Sequence, residues 1–286
     1  EWNLVSAHGR ACDPVAECME GKPTFFLTGG SESPATLCAQ LAAEGFGALA
    51  ATVGENLGTP EQKLYTGTVG QLAAGHFESL SVLLVEAAPV PPRRTQGLPD
   101  EAFVRGKVPM TKQEVRAAVL AKLGVTPGEL LWDVGAGTGS VSVELALAAP
   151  RGRVYAVECD PEACALIRQN KEKFAVRNLT LVEGTAPAAL ENLPAPDAVF
   201  IGGTKGNMAA VVDAALARNP SARICISAIA LETLSAAIAA LTAHGLQAEV
   251  VQIAVSRTKA AGKLHLLMAN NPIFLVTRTD GAGESV

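Results

Sequence analysis

The sequence predicts an α/β protein in two parts, each a sheet with helices packed on it. Three observations predict it. Short apolar runs alternate with stretches of helical spacing from about residue 110 to residue 277, the pattern of successive strand–helix units. Apolar residues make up 49% of the chain and aromatic residues only 4%, a balance suited to helices against a largely parallel sheet. Finally, the proline-rich stretch "APVPPRRTQGLPD", residues 88–100, has no apolar period. It reads as an extended linker between a first region, 1–87, and a second, 101–280. A length of 286 residues suits two domains.

Within the first region, residues 24–27 (TFFL) form a short buried strand. Ser33 caps a helix with Pro34 at its first position, running through residue 45. Residues 48–53 and 80–86 are further strands, and the intervening "GENLGTPEQKLYTGT" is rich in turn formers. Glu55 and Asn56 in that stretch read as turn supports.

The second region opens with a T-x-x-E capping box, Thr111 to Glu114, ahead of a helix with Val115, Val119, Lys122 and Leu123 at helical spacing. Strands follow over 130–134, 154–158, 179–182, 198–201 and 223–227, with helices over 140–149, 207–217 and 231–244. Asp160-Pro161 starts another helix as N-cap and first position, and Gly245 ends the helix before it. Residues 248–255, 264–267 and 273–276 leave no room for helices between them, so they predict an antiparallel hairpin at the sheet edge. Asn271-Pro272 is a turn shaping that edge.

Composition narrows the function classes. Net charge is −5 with no strong basic run, which argues against nucleic acid as the partner. No apolar run reaches the roughly 18 residues of a membrane span. Six cysteines are scattered without C-x-x-C spacing, so neither a zinc site nor a redox pair is signalled and no metal is expected. Reduced thiols and a cytoplasmic location are the expectation. The chain opens on Glu1-Trp2 with no basic and apolar leader, and is expected to begin partway into something longer.

The chemistry concentrates in "LLWDVGAGTGSVSVE". Its turn, Gly135, Ala136, Gly137, Thr138 and Gly139, departs from the dinucleotide fingerprint G-x-G-x-x-G, because the third glycine comes one residue early. Asp133 precedes the turn, and Glu158 closes the next strand, where a carboxylate can accept hydrogen bonds from ribose hydroxyls. Pyrophosphate wants bare amides at a helix N-terminus. S-adenosylmethionine carries no phosphate but a ribose, an adenine and cationic groups, which acidic residues at strand ends suit. Gly184, Thr185 and Ala186, after the third strand, would then lie beside the adenine. A nicotinamide enzyme and a turn made only for tightness are the competing readings.

Beyond these residues, "GLPDEAF", "VPMTKQEVRA", "FIGGTKGN" and "NPIFLVTR" resemble the precorrin-6Y C5,15-methyltransferase (decarboxylating) family of cobalamin biosynthesis. In the first region, "SAHGR" and "VGENLGTPEQKLYTGT" are similar to the carboxyl-terminal lobe of that family's tetrapyrrole methylase half. The resemblance implies a Rossmann-like class I methyltransferase with a seven-stranded, mostly parallel sheet, preceded by a small α/β lobe. It implies S-adenosylmethionine as donor, a tetrapyrrole as substrate, methylation at C15 and loss of CO2 from the C12 acetate. It further implies a homo-oligomer, a tetramer formed through the second half. The lobe with the first half's glycine-rich donor site is absent, so C5 methylation is not expected of this chain alone.

Carried onto this sequence, the family's donor site falls on Thr111, Gly135 to Gly139, Glu158 and Gly184 to Ala186. Many methyltransferases have an acidic residue where Thr185 stands; its hydroxyl can still accept from the adenine amino group. A polycarboxylate substrate calls for cations at the rim, for which Lys112, Arg116, Lys205, Arg257, Lys259 and Lys263 are candidates. "SRTKAAGK", with Arg257 and Lys259, reads as a loop over the substrate with Lys205 opposite. His265 is a candidate proton donor or an ordinary strand residue. His8 is read as a support of the first half's macrocycle pocket, or as an ordinary residue.

Overall fold

The structure is a computed structural model and describes residues 1–88 and 96–279. The chain divides into two compact units, Glu1–Arg93 and Arg94–Val286.

The first unit contains β1 (Asn3–Ser6), α1 (Pro14–Cys18), β2 (Thr24–Leu27), α2 (Pro34–Leu41), β3 (Ala50–Glu55), β4 (Lys63–Thr68), α3 (Val69–Leu72) and β5 (Ser81–Val85). Its sheet runs β1-β2-β5-β3-β4, parallel only between β1 and β2. Ser33 accepts from the Thr36 amide as predicted. The stretch read as turn formers, residues 54–68, instead contains β4, and α3 follows directly on it. Thr68, its last residue, forms a reciprocal capping box with Gln71, which satisfies two donors at the start of that helical turn. Glu55 is buried and accepts from the Glu78 amide (2.7 Å) and the Tyr65 hydroxyl (3.2 Å), a turn support. His8 is exposed, its Nδ1 3.3 Å from the Thr28 carbonyl oxygen.

The second unit contains α4 (Gln113–Leu123), β6 (Leu130–Val134), α5 (Ser140–Ala148), β7 (Arg153–Glu158), α6 (Pro161–Lys173), β8 (Leu179–Glu183) and β9 (Ala198–Ile201). There follow α7 (Met208–Arg218), β10 (Arg223–Ala228), α8 (Leu231–Ala243), β11 (Gln247–Ile253), β12 (Ser256–Ala261), β13 (Leu264–Ala269) and β14 (Ile273–Thr279). The seven-stranded sheet runs β11-β14-β10-β9-β6-β7-β8. Six strands run in one direction, five of them paired in parallel, and only β14 is reversed, antiparallel to both neighbours. Alternation along β6 feeds both faces: Leu131 joins the core beneath α4, α5 and α6, whereas Trp132 joins the one beneath α7 and α8. Burying each such side chain contributes about 2–3 kcal/mol. Strand order reverses about β6, which places a crevice at the carboxyl ends of the strands there.

Four expectations are corrected. The edge is not a simple hairpin: β14 inserts between β10 and β11, while β12 and β13 pair only with each other as a separate arm. The Thr111–Glu114 capping box does not form. Lys112 occupies the N-cap of α4 with no side-chain bond, because the Glu114 carboxylate is taken by Arg257 (2.7 and 3.2 Å). Residues 97–100, read as the end of a loose linker, are pinned to the second unit. The Gly97 and Leu98 amides donate to Glu144 (2.7 and 3.1 Å), and Leu98 and Asp100 are buried. Residues 89–95 of that linker lie outside the described residues. Finally, Arg116 is no rim cation: it is fully buried, for the reason given below.

Candidate active site

A cavity of about 680 Å³ opens at the carboxyl ends of β6, β7, β9 and β10. The β6–α5 turn forms its floor. Gly135 has φ 72°, and a Cβ there would stand 2.3 Å from the Gly203 carbonyl oxygen, so two backbone turns meet where only glycine fits. Gly137 has φ 56°, and its Cβ would approach the Pro109 carbonyl oxygen at 3.3 Å. The turn is therefore packed between the β9–α7 loop and the segment before α4.

Glu158, at the end of β7, is buried and lines this cavity. Its Oε2 accepts from the Gly137 amide (2.8 Å), and its Oε1 from the Cys159 and Asp160 amides (2.8 and 2.9 Å). Three backbone donors thus fix the carboxylate, and Oε2 keeps a second lone pair. Gly184, Thr185 and Ala186 line the cavity after β8, and Thr111 after the segment Val108–Met110. Thr138 lines it too, with a buried Oγ1 that lacks a partner among the described residues. Lys205 also lines it, exposed and at φ 49°, a left-handed conformation uncommon for a side-chain-bearing residue. A hydrogen bond with Cys159, then the Glu158 and Asp160 carboxylates, hold its ammonium above the usual lysine range.

Of the residues singled out from sequence, the structure brings Thr111, Gly135, Ala136, Gly137, Thr138, Glu158, Gly184, Thr185, Ala186 and Lys205 onto one cavity. Asp133 and Gly139 lie outside its lining. Asp133 is fully buried, its Oδ2 bonded by the Ser142 hydroxyl and its Oδ1 without a partner among the described residues. Arg257, Lys259 and His265 do not line it either. They sit on the β12–β13 arm, where Lys259 and His265 are exposed and His265 pairs in register with Ala260. "SRTKAAGK" is thus a hairpin and not an irregular loop, since its backbone groups are satisfied by strand pairing. Arg257 is committed elsewhere, to Glu114 and to Asp100 (3.0 Å).

Arg116 explains why. Its guanidinium meets Glu144 (2.7 Å), Asp100 (2.8 Å) and the carbonyls of Thr111 and Leu98, over the Phe103 ring. Burial alone would raise the Asp100 carboxyl, yet Arg116 and Arg257 hold it below the usual range. Buried charge must be paired, and these two arginines are spent on that.

Asp133 has the opposite behaviour. Burial, with Glu158 adding to it and Ser142 opposing, pushes its carboxyl up to about 7. A raised folded-state value means the neutral acid is preferred. The stability this preference contributes is complete below about pH 4 and is lost as pH rises to about 7. Asp133→Asn is expected to remove that loss, so its stability relative to the parent rises between pH 4 and 7 by an amount on the order of 4 kcal/mol. Urea unfolding of both proteins across this range measures the difference.

Sequence reading missed Val108 to Met110, Cys159, Ser227, Ile229 and Thr233, which also line the cavity. Ser227 and Ile229 follow from the strand-end rule, since they stand at and just beyond the carboxyl end of β10. Val108 to Met110 carry no such signal, because they lie on irregular backbone.

Comparison with known proteins decides the family. The profile described as "Precorrin methyltransferase domain" matches residues 101–279. The chain belongs to the precorrin methyltransferase domain family. Among relatives of this family, a probable cobalt-precorrin-6B C(15)-methyltransferase (decarboxylating) of Pyrobaculum calidifontis is 46% identical over 189 residues, 65% of this chain and 97% of that protein. A precorrin-6Y C(5,15)-methyltransferase (decarboxylating) of Sinorhizobium sp. is 39% identical over 217 residues; the match covers 74% of this chain but only 52% of that one. The crystal structure of a precorrin-6y C5,15-methyltransferase from Geobacter metallireducens superposes with a TM-score of 0.62 at 39% identity, over 66% of this chain and 97% of that one. The precorrin methyltransferase assignment falls on the unit that holds the cavity.

Proposed function

We propose that the second unit uses S-adenosylmethionine to methylate C15 of a precorrin macrocycle and releases CO2 from the acetate at C12. One observation carries this reading: Glu158, fixed by three amides beside a glycine floor, in a chain of this methyltransferase family. The residues fit the donor. Glycine at 135 and 137 lets the turn pack against the β9–α7 loop and the segment before α4 and so close this end of the cavity, Glu158 can accept from the ribose, and the orphaned Thr138 hydroxyl offers a further partner. Gly184 to Ala186 would flank the adenine, with Thr185 as acceptor, and Thr111 would close the opposite side.

When bound, S-adenosylmethionine supplies an already activated methyl group, so the protein's task is alignment at roughly 3 Å. The Ser227, Ile229, Ala230 and Thr233 side of the cavity would receive the macrocycle. Lys205, as the cation lining the cavity, would hold one of its carboxylates. Lys112, Lys259 and Lys263 remain further candidates for the outer acid groups. For CO2 loss, the site must orient the carboxylate while the conjugated ring takes the electron pair of the broken C–C bond, and a general acid must then return a proton to the carbon that lost CO2.

Assembly belongs to the same proposal. The β12–β13 arm exposes Leu264, Leu266, Leu267 and Met268. A two-stranded hairpin is marginal by itself and an apolar patch of this kind favours a partner surface. A homo-oligomer, a tetramer through the second unit, would cover it. Nucleic acid and a membrane have no place in this reading. Among the described residues no helix is long and apolar enough to cross a membrane.

Incubation with the tetrapyrrole and labelled donor tests the reaction. Methyl incorporation with matching CO2 release is expected. Methylation without CO2 would remove the decarboxylation, and neither product from a folded sample would remove the function.

A further inference from the structure

The buried stripe of α6 is Ala163, Leu166, Ile167 and Asn170, and its last member is an amide among apolar residues. Asn170 is fully buried and spends its carboxamide entirely on backbone. Its Oδ1 accepts from the Val104 amide (2.7 Å), and its Nδ2 donates to the Val104 carbonyl (3.1 Å) and the Thr138 carbonyl (2.9 Å).

These partners belong to two different walls of the cavity. Thr138 is in the glycine turn. Val104 opens the irregular segment 104–112, whose residues 108–111 line the cavity beside the turn. Irregular backbone has no ladder of its own to fix it. The segment's far end is held by the bond from Arg116 to the Thr111 carbonyl, and its near end by Asn170 and, further along, by the Lys107 amide on the exposed Glu162 carboxylate (3.1 Å). The contact between the Gly137 position and the Pro109 carbonyl lies between these anchors.

We propose that Asn170 is a positioning residue for the methyl donor: it holds the 108–111 segment against the glycine turn, and so sets the shape of the cavity that the two line together and that takes the adenosyl group. This rests on reading the cavity as the donor site. Asn170 touches neither donor nor macrocycle, and acts through Val104 and Thr138.

Asn178 supplies the control. It is equally buried, and its Nδ2 likewise donates to two carbonyls, Ala146 (3.0 Å) and Ala149 (2.8 Å), but it does not line or brace the cavity. Asn178→Ala therefore removes two buried bonds to carbonyls and Asn170→Ala removes three bonds in all, since the Asn178 Oδ1 has no partner among the described residues. Titration calorimetry with S-adenosylhomocysteine, well below both melting midpoints, compares them with the parent. Both variants are expected to melt earlier. Only Asn170→Ala is expected to weaken the Kd, by about tenfold, and to raise the donor KM by a similar factor with kcat within about twofold. Should Asn170→Ala not fold, Asn170→Ser carries the same comparison. Parent-like affinity in the Asn170 variant, or equal weakening in the Asn178 variant, overturns the inference while the donor site stands. A folded parent that binds no S-adenosylhomocysteine overturns the donor-site reading, and this inference with it.

Discussion

Glu158→Ala is expected to weaken S-adenosylmethionine binding by about a hundredfold and to lower kcat/KM at least as much. Two losses add. A charge-assisted hydrogen bond to a ribose hydroxyl is worth about 1.5–3 kcal/mol. In addition, the amides of Gly137, Cys159 and Asp160 lose their shared acceptor, so the turn and the start of α6 are released from each other. Together these come to roughly 3 kcal/mol of donor affinity, which is about two decades. Glu158→Gln separates the two losses poorly. Its single acceptor oxygen can serve only one side, and its NH2 group faces a backbone N–H on the other. It too is expected to bind the donor weakly. Calorimetry at neutral pH checks both variants, and near-parental affinity in Glu158→Ala would remove the carboxylate from the donor site.

The second large effect is on stability. Arg116→Met is expected to cost the second unit about 3–5 kcal/mol, lowering its melting midpoint by about 10 °C. Methionine fills the volume but leaves Asp100 and Glu144, 1% and 2% exposed, without their shared cation. It also strands the Thr111 and Leu98 carbonyls. The pH dependence has a definite sign. Arg116 and Arg257 hold the Asp100 carboxyl low despite its burial. The stability this contributes is present above the ordinary carboxylate value and is lost as pH falls from there through the lowered folded-state value. In the variant Asp100 keeps only Arg257 and takes up a proton more readily, so the deficit is largest at neutral pH and shrinks on acidification. Adding Glu144→Gln to Arg116→Met should recover part of the loss, because a buried charge is removed. Thermal unfolding of the single and double variants across pH 4 to 8 checks this, and a deficit independent of pH would contradict the pairing.

Much of the second unit is legible in the sequence. Its strands are short apolar runs bounded by turn residues, and its helices announce themselves through Asp160-Pro161 and Gly245. The glycine turn and Glu158 are legible for the same reason: they are fixed by backbone geometry, which constrains residue type locally. The cations are not. Arg116 lies in a stripe with Val115, Val119, Leu120 and Leu123, a sign that it is buried. A rim role looks at charge alone and overlooks that Asp100 and Glu144, 16 and 28 residues away, claim it. The arm escapes because β12 and β13 pair only with each other, so "SRTKAAGK" lacks the apolar alternation of a sheet strand. In the first unit, Thr68 to Gln71 carries a capping signal that begins only at the last residue of a stretch whose turn formers dominate the reading. Asn170 offers a similar sign, an amide at the helical spacing of Ala163, Leu166 and Ile167, but its partners are backbone groups that sequence does not reveal.

The most direct measurement is a crystal structure with S-adenosylhomocysteine bound. The account predicts a ribose hydroxyl on Glu158 Oε2, the adenine against residues 184–186, and the sulfur turned towards the Ser227 and Ile229 side of the cavity. A nucleoside bound elsewhere, or a Glu158 carboxylate making no contact with the sugar, would contradict it.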